Sequence, residues 1–166
     1  MTENSIVDSC EQVYRLYGTM LYRICCSYLG SVHDAEDALQ DVFCKYMVKL
    51  PSFESEEHRK AWLIKATVNH CKDVLRSKKR RQFFGYDEEI KEDAATKSDE
   101  DFGVLGMIFS LPEKYKEVFV LHYLENISVM EISSICAISQ SAVKMRLMRG
   151  RELLKDMLRK EGLETD

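Results

Sequence analysis

Apolar residues recur at steps of three and four positions through most of this chain, the spacing that gives an α-helix one apolar face. Only two prolines and seven glycines interrupt the 166 residues, and this composition favours long helices over a sheet with many turns. The periodic stretches predict helices at about 8–29, 34–50, 57–81 and 102–109, and another that Pro112 opens from its first position. In the first stretch, the predicted apolar face comprises Val13, Leu16, Tyr17, Met20, Leu21, Ile24 and Tyr28. The sequence therefore predicts an all-α protein.

One stretch without sustained periodicity divides these helices into two groups. Residues 83–101 are rich in Asp, Glu, Lys, Ser and Thr, a composition typical of a flexible linker. We therefore predict two small helical domains joined by a flexible acidic linker at 83–101. An N-terminal three- to four-helix bundle occupies 1–82, and a C-terminal helix-turn-helix domain occupies 102–166.

The helix-turn-helix prediction comes from the local signals near the C-terminus. Ser128 and Glu131 have the spacing of a capping box at the start of a short helix. A short connection at 136–139 follows, and Ser139 or Ser141 caps a longer helix that carries many Arg and Lys residues. A short helix, a tight turn and a basic second helix are typical of DNA-binding helix-turn-helix proteins. An ordinary helical hairpin with a solvated charged face is the alternative.

The net charge of −4 conceals an uneven distribution of charge along the chain. Basic residues dominate 58–82 and 144–160, whereas 87–101 is strongly acidic. A mildly acidic protein with two separate basic stretches can bind a polyanion such as nucleic acid at two places. Solvated charged faces are the alternative explanation.

The remaining composition argues against metal, membrane and enzyme classes. The cysteines are Cys10, Cys25, Cys26, Cys44, Cys71 and Cys136. Because none forms a Cys-x-x-Cys pair, we expect reduced thiols acting as small hydrophobes, with no metal and no cofactor. There is no apolar run of about 20 residues and no signal-peptide pattern, so we expect a cytoplasmic protein without membrane insertion. The chain lacks a phosphate-binding glycine loop, a paired catalytic histidine and a nucleophile motif, so we do not expect an enzyme. The acidic cluster around Asp37 has no partner histidine and is a weak signal for a metal-dependent nuclease.

Several motifs resemble the extracytoplasmic-function (ECF) group of bacterial RNA polymerase sigma factors. The segments that resemble sigma region 2 are 12–23, 28–30, 34–43, 61–69 and 73–76. The segments that resemble sigma region 4 are 110–119 and 128–158. The resemblance implies a subunit that binds core RNA polymerase and directs promoter-specific transcription initiation. Its implied partners are core polymerase, promoter DNA as duplex and as opened strand, and an anti-sigma factor. A stand-alone helix-turn-helix regulator is the alternative.

The resemblance also implies roles for individual residues. Region 2, at 1–82, is expected to bind polymerase and to recognise and melt the downstream promoter element; region 4, at 102–166, is expected to recognise the upstream element. The implied polymerase-binding residues are Asp37, Gln40 and Asp41, whose spacing places them on one helical face. Asn69 is expected to read a flipped base, with phosphates held nearby by Lys72, Arg76, Lys78, Lys79, Arg80 and Arg81. In the upstream element, the implied contacts come from Lys144, Met145, Arg146, Met148 and Arg149.

The sequence also gives expectations for three further positions, namely Trp62, Ala137 and Ser141. Trp62 shares a helical face with Ala66, which favours a core anchor over a melting residue. The ECF group often has glycine where this chain has Ala137 and Ser141. If Ala137 adopts a left-handed conformation, it costs on the order of 1 kcal/mol.

Overall fold

The computed structural model describes residues 3–83, Gly85 and residues 103–162, with side chains described from residue 9 and from residue 106 onward. Within these ranges the regular structure is entirely helical, which confirms the predicted all-α class. The helices form two compact units, as the prediction of two small helical domains requires. The predicted linker at 83–101 lies outside the described residues, apart from Phe83 and Gly85.

The N-terminal unit is a bundle of three helices in mutual contact, namely α1 (Glu3–Leu29), α2 (Val32–Lys49) and α3 (Glu56–Phe83). Their apolar stripes meet in a core whose fully buried side chains include Val13, Leu21, Ile24, Val42, Leu63, Ile64 and Val68. Burying one such side chain contributes about 1.5–3 kcal/mol relative to leaving it exposed. The shared core, rather than helix propensity alone, therefore holds the three helices together.

The ends of α2 are set by local chemistry. Ser31 has an extended backbone, and its side chain accepts a hydrogen bond from Asp34 N at 3.3 Å, which caps the helix. At the other end, Leu50 is left-handed (φ 41°) and its N–H donates to the carbonyl of Tyr46. Pro51 follows and cannot continue the helix. These signals confine α2 between two sharp turns and set the start of the loop that leads to α3.

The apolar face predicted for α1 is wider than the part of the helix that is buried. Leu16 is 67% exposed, so its predicted place in the core is wrong. Tyr17 and Met20 are half-buried. Within the described N-terminal unit, α2 and α3 cover only part of α1, so an apolar pattern broader than that part leaves the flank of α1 in solvent.

Most cysteines of the N-terminal unit serve as small core residues. Cys10, Cys25 and Cys71 are buried, as predicted, whereas Cys44 is exposed. A hydrogen bond with the thiol of Cys25, followed by burial, raises the pKa of Cys71, and burial raises the pKa of Cys10. Since the thiolate is the reactive form, these buried thiols are poor nucleophiles and act through packing.

The C-terminal unit contains α4 (Gly103–Ser110), α5 (Glu113–Phe119), α6 (Val129–Cys136) and α7 (Gln140–Lys160). The longest helix, α7, contacts the other three. The fully buried side chains are Val118, Val120, Leu121, Ile127, Ile132 and Val143. Pro112 was expected as the first residue of its helix, but it lies one position earlier and caps α5 with its carbonyl, which accepts from the N–H groups of Tyr115 and Lys116.

A short π-helical segment continues α5 at Val120–Leu124, and the N–H of Glu125 donates to the carbonyl of Val120 at 3.1 Å. Such segments are rare because they depart from the i→i−4 hydrogen-bond pattern. Here the segment buries Leu121 and leaves Tyr123 partly exposed. The Oη of Tyr123 accepts a hydrogen bond from Arg151 at 2.8 Å, which ties the segment to α7.

Candidate polymerase and nucleic-acid interfaces

An open groove of roughly 350 Å³ runs between α2 and α3. It is lined by Lys45, Lys49, Trp62, Lys65, Ala66 and Asn69. The two α2 lysines lie one helical turn apart, and Trp62 and Asn69 lie two turns apart on one face of α3. This set, which we call the α2–α3 groove, brings residues from two separate sequence segments to one surface.

The chemistry of the α2–α3 groove suits a single nucleic-acid strand. Its three lysines are exposed and form no ion pair with any residue that the structure describes. The amide of Asn69 is also exposed and carries both a donor and an acceptor, so it can hydrogen-bond a base edge. Positive charge that follows a backbone, combined with an aromatic side chain, is the usual combination in sites that bind single strands. The sequence predicted Asn69 here but missed Lys45, Lys49 and Lys65, because α2 and α3 are separate in sequence.

Trp62 serves as both an anchor and a groove wall. Its ring is half-buried and contacts the ring of Tyr46 edge to face, at 5.9 Å between centroids and 65° between planes. It contacts Phe53 in a similar way, at 5.9 Å and 64°. The expected anchoring role is therefore present, and the remaining surface of the ring lines the groove next to Ala66.

The basic residues at the C-terminal end of α3 differ in their availability. Arg76 pairs with Asp73 at 2.9 Å, but both side chains are 68% exposed, so the pair is weak and can exchange for a phosphate. Lys79 and Arg80 are exposed, Lys72 is half-buried, and Arg81 Nη2 donates to Ser77 Oγ at 3.3 Å.

Lys78 has a different environment from its basic neighbours. Its ammonium group forms a close, partly buried ion pair with Asp34 near the start of α2. The pair joins residues 44 positions apart in the sequence. Lys78 therefore contributes to packing between α3 and α2, whereas the sequence placed it only among phosphate contacts.

The three residues expected to bind polymerase share an exposed face of α2. Asp37, Gln40 and Asp41 are all exposed. A carboxylate oxygen of Asp37 lies 3.5 Å from His33 Nε2 on the same helix. Asp41 Oδ2 lies 3.3 Å from Nε2 of the half-buried His70 on α3, within ion-pair distance but without hydrogen-bond alignment. Sequence analysis did not find this histidine, although it directly follows Asn69.

Local hydrogen bonds build the helix-turn-helix in the C-terminal unit. Ser128 caps α6 and accepts from Glu131 N at 3.1 Å, as predicted. Ala137 ends α6 in the left-handed conformation, with φ 56° and ψ 44°, so the anticipated backbone strain is present. Of the two predicted caps of α7, Ser139 is the one used, and it accepts from Ala142 N at 3.0 Å.

The outer face of α7 carries the residues predicted to contact the upstream element. Lys144, Met145, Met148 and Arg149 are exposed, and Arg146 is half-buried at the edge of this face. Val143 and Leu147 are buried and fix the rotation of the helix. Two further exposed residues, Gln140 and Ser141, stand in its first turn. Because base contacts of a recognition helix are made mainly from its N-terminal residues, both extend the predicted set.

Neither a membrane-spanning helix nor a cluster of metal-ligand side chains is present in the parts of the chain that the structure describes. No helix within residues 3–83 or 103–162 is long and apolar enough to cross a bilayer. Among the same residues, no three His, Cys, Asp or Glu side chains are grouped as metal ligands.

Two compact helical units, one with a basic groove and the other with a helix-turn-helix, define a modular helical protein with surfaces suited to nucleic acid. Matches to family models support this class of protein. Residues 13–81 match Sigma-70 region 2, and residues 104–154 match Sigma-70, region 4. The chain belongs to the sigma-70 family, in the ECF group, and is a sigma factor that directs transcription initiation. This confirms the resemblance seen in the sequence and decides against a stand-alone regulator.

Similar proteins cover nearly the whole chain. The ECF RNA polymerase sigma factor SigW of Bacillus subtilis is 30% identical over 168 residues, covering 92% of this chain and 90% of SigW. SigV of the same organism is 30% identical over 144 residues and covers 86% of each chain. In fold, the chain is similar to the sigma factor RpoE of Bartonella quintana, which was solved with the anti-sigma factor NepR. The TM-score is 0.71 and the sequence identity is 22%, with 90% of this chain and 96% of RpoE covered. It is also similar to CnrH, solved with the cytosolic domain of CnrY, at a TM-score of 0.68 and 22% identity over 92% and 89% of the two chains.

Proposed function

We propose that this sigma factor works through three surfaces. Residues 1–82 bind core RNA polymerase through Asp37, Gln40 and Asp41, and capture the opened strand of the downstream promoter element in the α2–α3 groove. Residues 102–166 dock α7 in the major groove of the upstream element, and residues 83–101 connect the two domains. The observation that carries the proposal is the separation of charge within the N-terminal unit, where an exposed acidic face and a basic groove lie on the same two helices.

Strand capture is supported by the particular residues of the groove. Lys45, Lys49 and Lys65, which pair with none of the described residues, provide positive charge for phosphates, which gives affinity with little sequence information. Asn69 supplies the hydrogen-bonding edge that distinguishes one base from another. A base can enter only when it is unstacked, so the groove favours DNA that is already opening.

The upstream contact relies on the outer face of α7. Lys144 and Arg149 can donate to guanine N7 and O6 or to phosphate, and Met145 and Met148 can pack against thymine methyl groups. Gln140, in the first turn, has an amide that matches the adenine edge. Each good base contact contributes about 1–3 kcal/mol of discrimination against the wrong base.

We further propose an anti-sigma partner, a cytoplasmic location and no enzymatic activity. The first is supported by the two structures of similar fold, which were solved with NepR and with the cytosolic domain of CnrY. A partner that covers the acidic face of α2 would compete with polymerase for Asp37 and Asp41.

Run-off transcription tests the proposal directly. Core polymerase with and without the protein is supplied with a pooled library of promoter-like fragments, and new start sites are sequenced. We expect new initiation that disappears with Asp37→Ala plus Gln40→Ala and persists with Glu57→Ala, an exposed carboxylate at the start of α3. Initiation at the same sites by core polymerase alone would contradict the proposal.

Protein variants, assayed on the promoter found in this way, test the two proposed DNA-binding surfaces separately. Arg149→Ala should weaken binding of the upstream duplex and relax sequence preference there, with a loss of about 1–3 kcal/mol if Arg149 contacts a base. Asn69→Ala should leave upstream binding intact and relax preference in the opened element. The control is Lys155→Ala, because Lys155 is exposed and lies more than two turns beyond Arg146 on α7. Equal loss in all three variants would argue against separate surfaces.

A further inference from the structure

The loop between α2 and α3 is held by one aromatic side chain. Phe53 lies in this loop, and its ring is stacked parallel to that of Tyr46, with 5° between planes and 6.4 Å between centroids. Its other ring contacts are edge to face, with His58 at 5.3 Å and with Trp62 at 5.9 Å. The guanidinium carbon of Arg59 lies 5.5 Å from the ring centroid. One loop residue thus touches α2 and the first two turns of α3 together.

Hydrogen bonds and an ion pair support this arrangement from outside the ring cluster. Ser55 Oγ accepts from His58 N at 3.1 Å and thereby orders the first turn of α3. Glu56 pairs with Arg59 at 3.0 Å and accepts from the hydroxyl of Tyr17 on α1 at 2.8 Å. The cation over Phe53 is therefore itself tethered, and the loop is connected to all three helices of the unit.

Phe53 meets Trp62 from the loop, whereas Tyr46 meets it from α2. Among the residues that the structure describes, these are the two aromatic rings that contact Trp62, and they do so at similar distances and angles. Tyr46 is buried, but Phe53 is only half-buried and comes from a loop. Removing the Phe53 ring would take away one of these two contacts, and we expect the Trp62 ring to become less ordered at the α2–α3 groove.

We propose that Phe53 is a positioning residue for strand capture, which fixes the Trp62 ring as a preformed wall of the α2–α3 groove. This inference rests on the proposed function of that groove. A wall that is ordered before DNA arrives costs no further side-chain ordering when a base enters. Stacking of one base on an aromatic side chain contributes about 1–3 kcal/mol, but only when the ring is correctly presented.

The first test measures the protein without polymerase. Because Trp62 is the only tryptophan in the chain, its fluorescence reports on the groove alone. We expect Phe53→Ala to increase acrylamide quenching of Trp62, and Phe53→Tyr, which keeps the ring, to restore wild-type quenching. Unchanged quenching in Phe53→Ala would overturn the inference. Phe53→Leu keeps apolar volume without a ring and provides the same comparison if the alanine variant unfolds.

The second test measures the two steps of initiation with holoenzyme on a promoter found by run-off selection. Closed-complex affinity is measured by gel shift, and strand opening by the permanganate reactivity of thymines. We expect Phe53→Ala to slow opening about tenfold, which corresponds to the lower end of the stacking range. Closed-complex affinity should stay within about twofold of wild type, because the upstream contact is unchanged. Phe53→Tyr should recover most of the opening rate.

A core variant of the same unit distinguishes positioning from general stability. Ile24→Val removes one buried methyl group from α1 and lowers the stability of the unit without touching the loop. If Ile24→Val slows opening as much as Phe53→Ala does, or if Phe53→Ala opens DNA like wild type, the inference is wrong. Failure of wild-type holoenzyme to open any promoter would instead contradict the proposed function itself.

Discussion

The approach of the Phe119 ring on α5 to Gly150 on α7 predicts an unusual effect of a conservative substitution. A Cβ atom placed on Gly150 of α7 would lie 2.3 Å from Cε2 and 2.7 Å from Cδ2 of Phe119. Carbon atoms in ordinary contact are about 3.5–4.0 Å apart, so the ring must retreat by more than about 1 Å. Phe119 is buried and packs at 4.9 Å against the ring of Tyr123, so it has little room to move.

The expected free-energy change combines two opposing terms. Alanine is favoured over glycine inside a helix by about 0.8–1 kcal/mol. Overpacking of a well-filled core costs about 1–3 kcal/mol, and a displacement of this size belongs at the upper end. Gly150→Ala should therefore destabilise the C-terminal unit by about 1–2 kcal/mol, which lowers its melting temperature by roughly 5–15 °C.

Gly18 on α1 provides a matched control in the N-terminal unit. Its added Cβ would meet the Tyr14 ring at 3.6 Å, an ordinary contact, so Gly18→Ala should stabilise that unit through helix propensity alone. Thermal unfolding of the full-length chain is followed by far-ultraviolet circular dichroism for both units and by Trp62 fluorescence for the N-terminal unit. The two substitutions should shift the corresponding transitions in opposite directions. A rise in melting temperature for Gly150→Ala would refute the packing argument.

Three further sets of substitutions test individual interactions. Ala137→Gly should stabilise the C-terminal unit by about 1 kcal/mol in urea unfolding, because glycine adopts the left-handed conformation without strain. Replacing Asp34, Lys78 or both by alanine should give a coupling free energy of about 1 kcal/mol in a double-mutant cycle, and additivity would show that the pair contributes nothing. Burial lowers the pKa of Lys116, and nearby Glu113 partly offsets this effect. The unfolded chain therefore binds more protons than the folded chain in the alkaline range, and stability rises with pH up to the ordinary lysine pKa of 10.5. Lys116→Met should therefore raise the melting temperature at pH 7, and this advantage should shrink by pH 10.

Local signals in the sequence were sufficient for the helix-turn-helix. Ser128 acts through a hydrogen bond to a residue three positions away, so its role follows from spacing alone. For α7, spacing left Ser139 and Ser141 as alternative caps, and the structure selects Ser139. Ala137 was identified as a departure from glycine, and its left-handed conformation follows from the same turn. Val143 and Leu147, which are four residues apart, are both buried, because a helix that packs on one side presents one face to the core.

Features that depend on contacts between distant segments were not predictable in this way. Periodicity placed Leu16 in the core because it reports which residues are apolar, not how much of the helix its neighbours cover. The pairing of Lys78 with Asp34 and the packing of Phe53 against Trp62 each require the relative placement of two elements. A basic run looks the same in sequence whether its lysines face solvent or a carboxylate, so the structure is needed to separate them.

The charge pattern of α2 connects the two proposed roles of the N-terminal unit. Asp37, Asp41, Lys45 and Lys49 follow one another at intervals of four residues, so they form one ridge along the helix. The two carboxylates precede the two lysines along α2, and Lys49 in the last turn also interacts favourably with the helix dipole. In the proposed function, the carboxylates repel phosphates and the lysines attract them, so a strand approaching α2 would be directed to the Lys45 end, beside Asn69. A single helix would then keep the proposed polymerase surface free of DNA while it holds the strand one or two turns away, which would let both surfaces fit on so small a bundle.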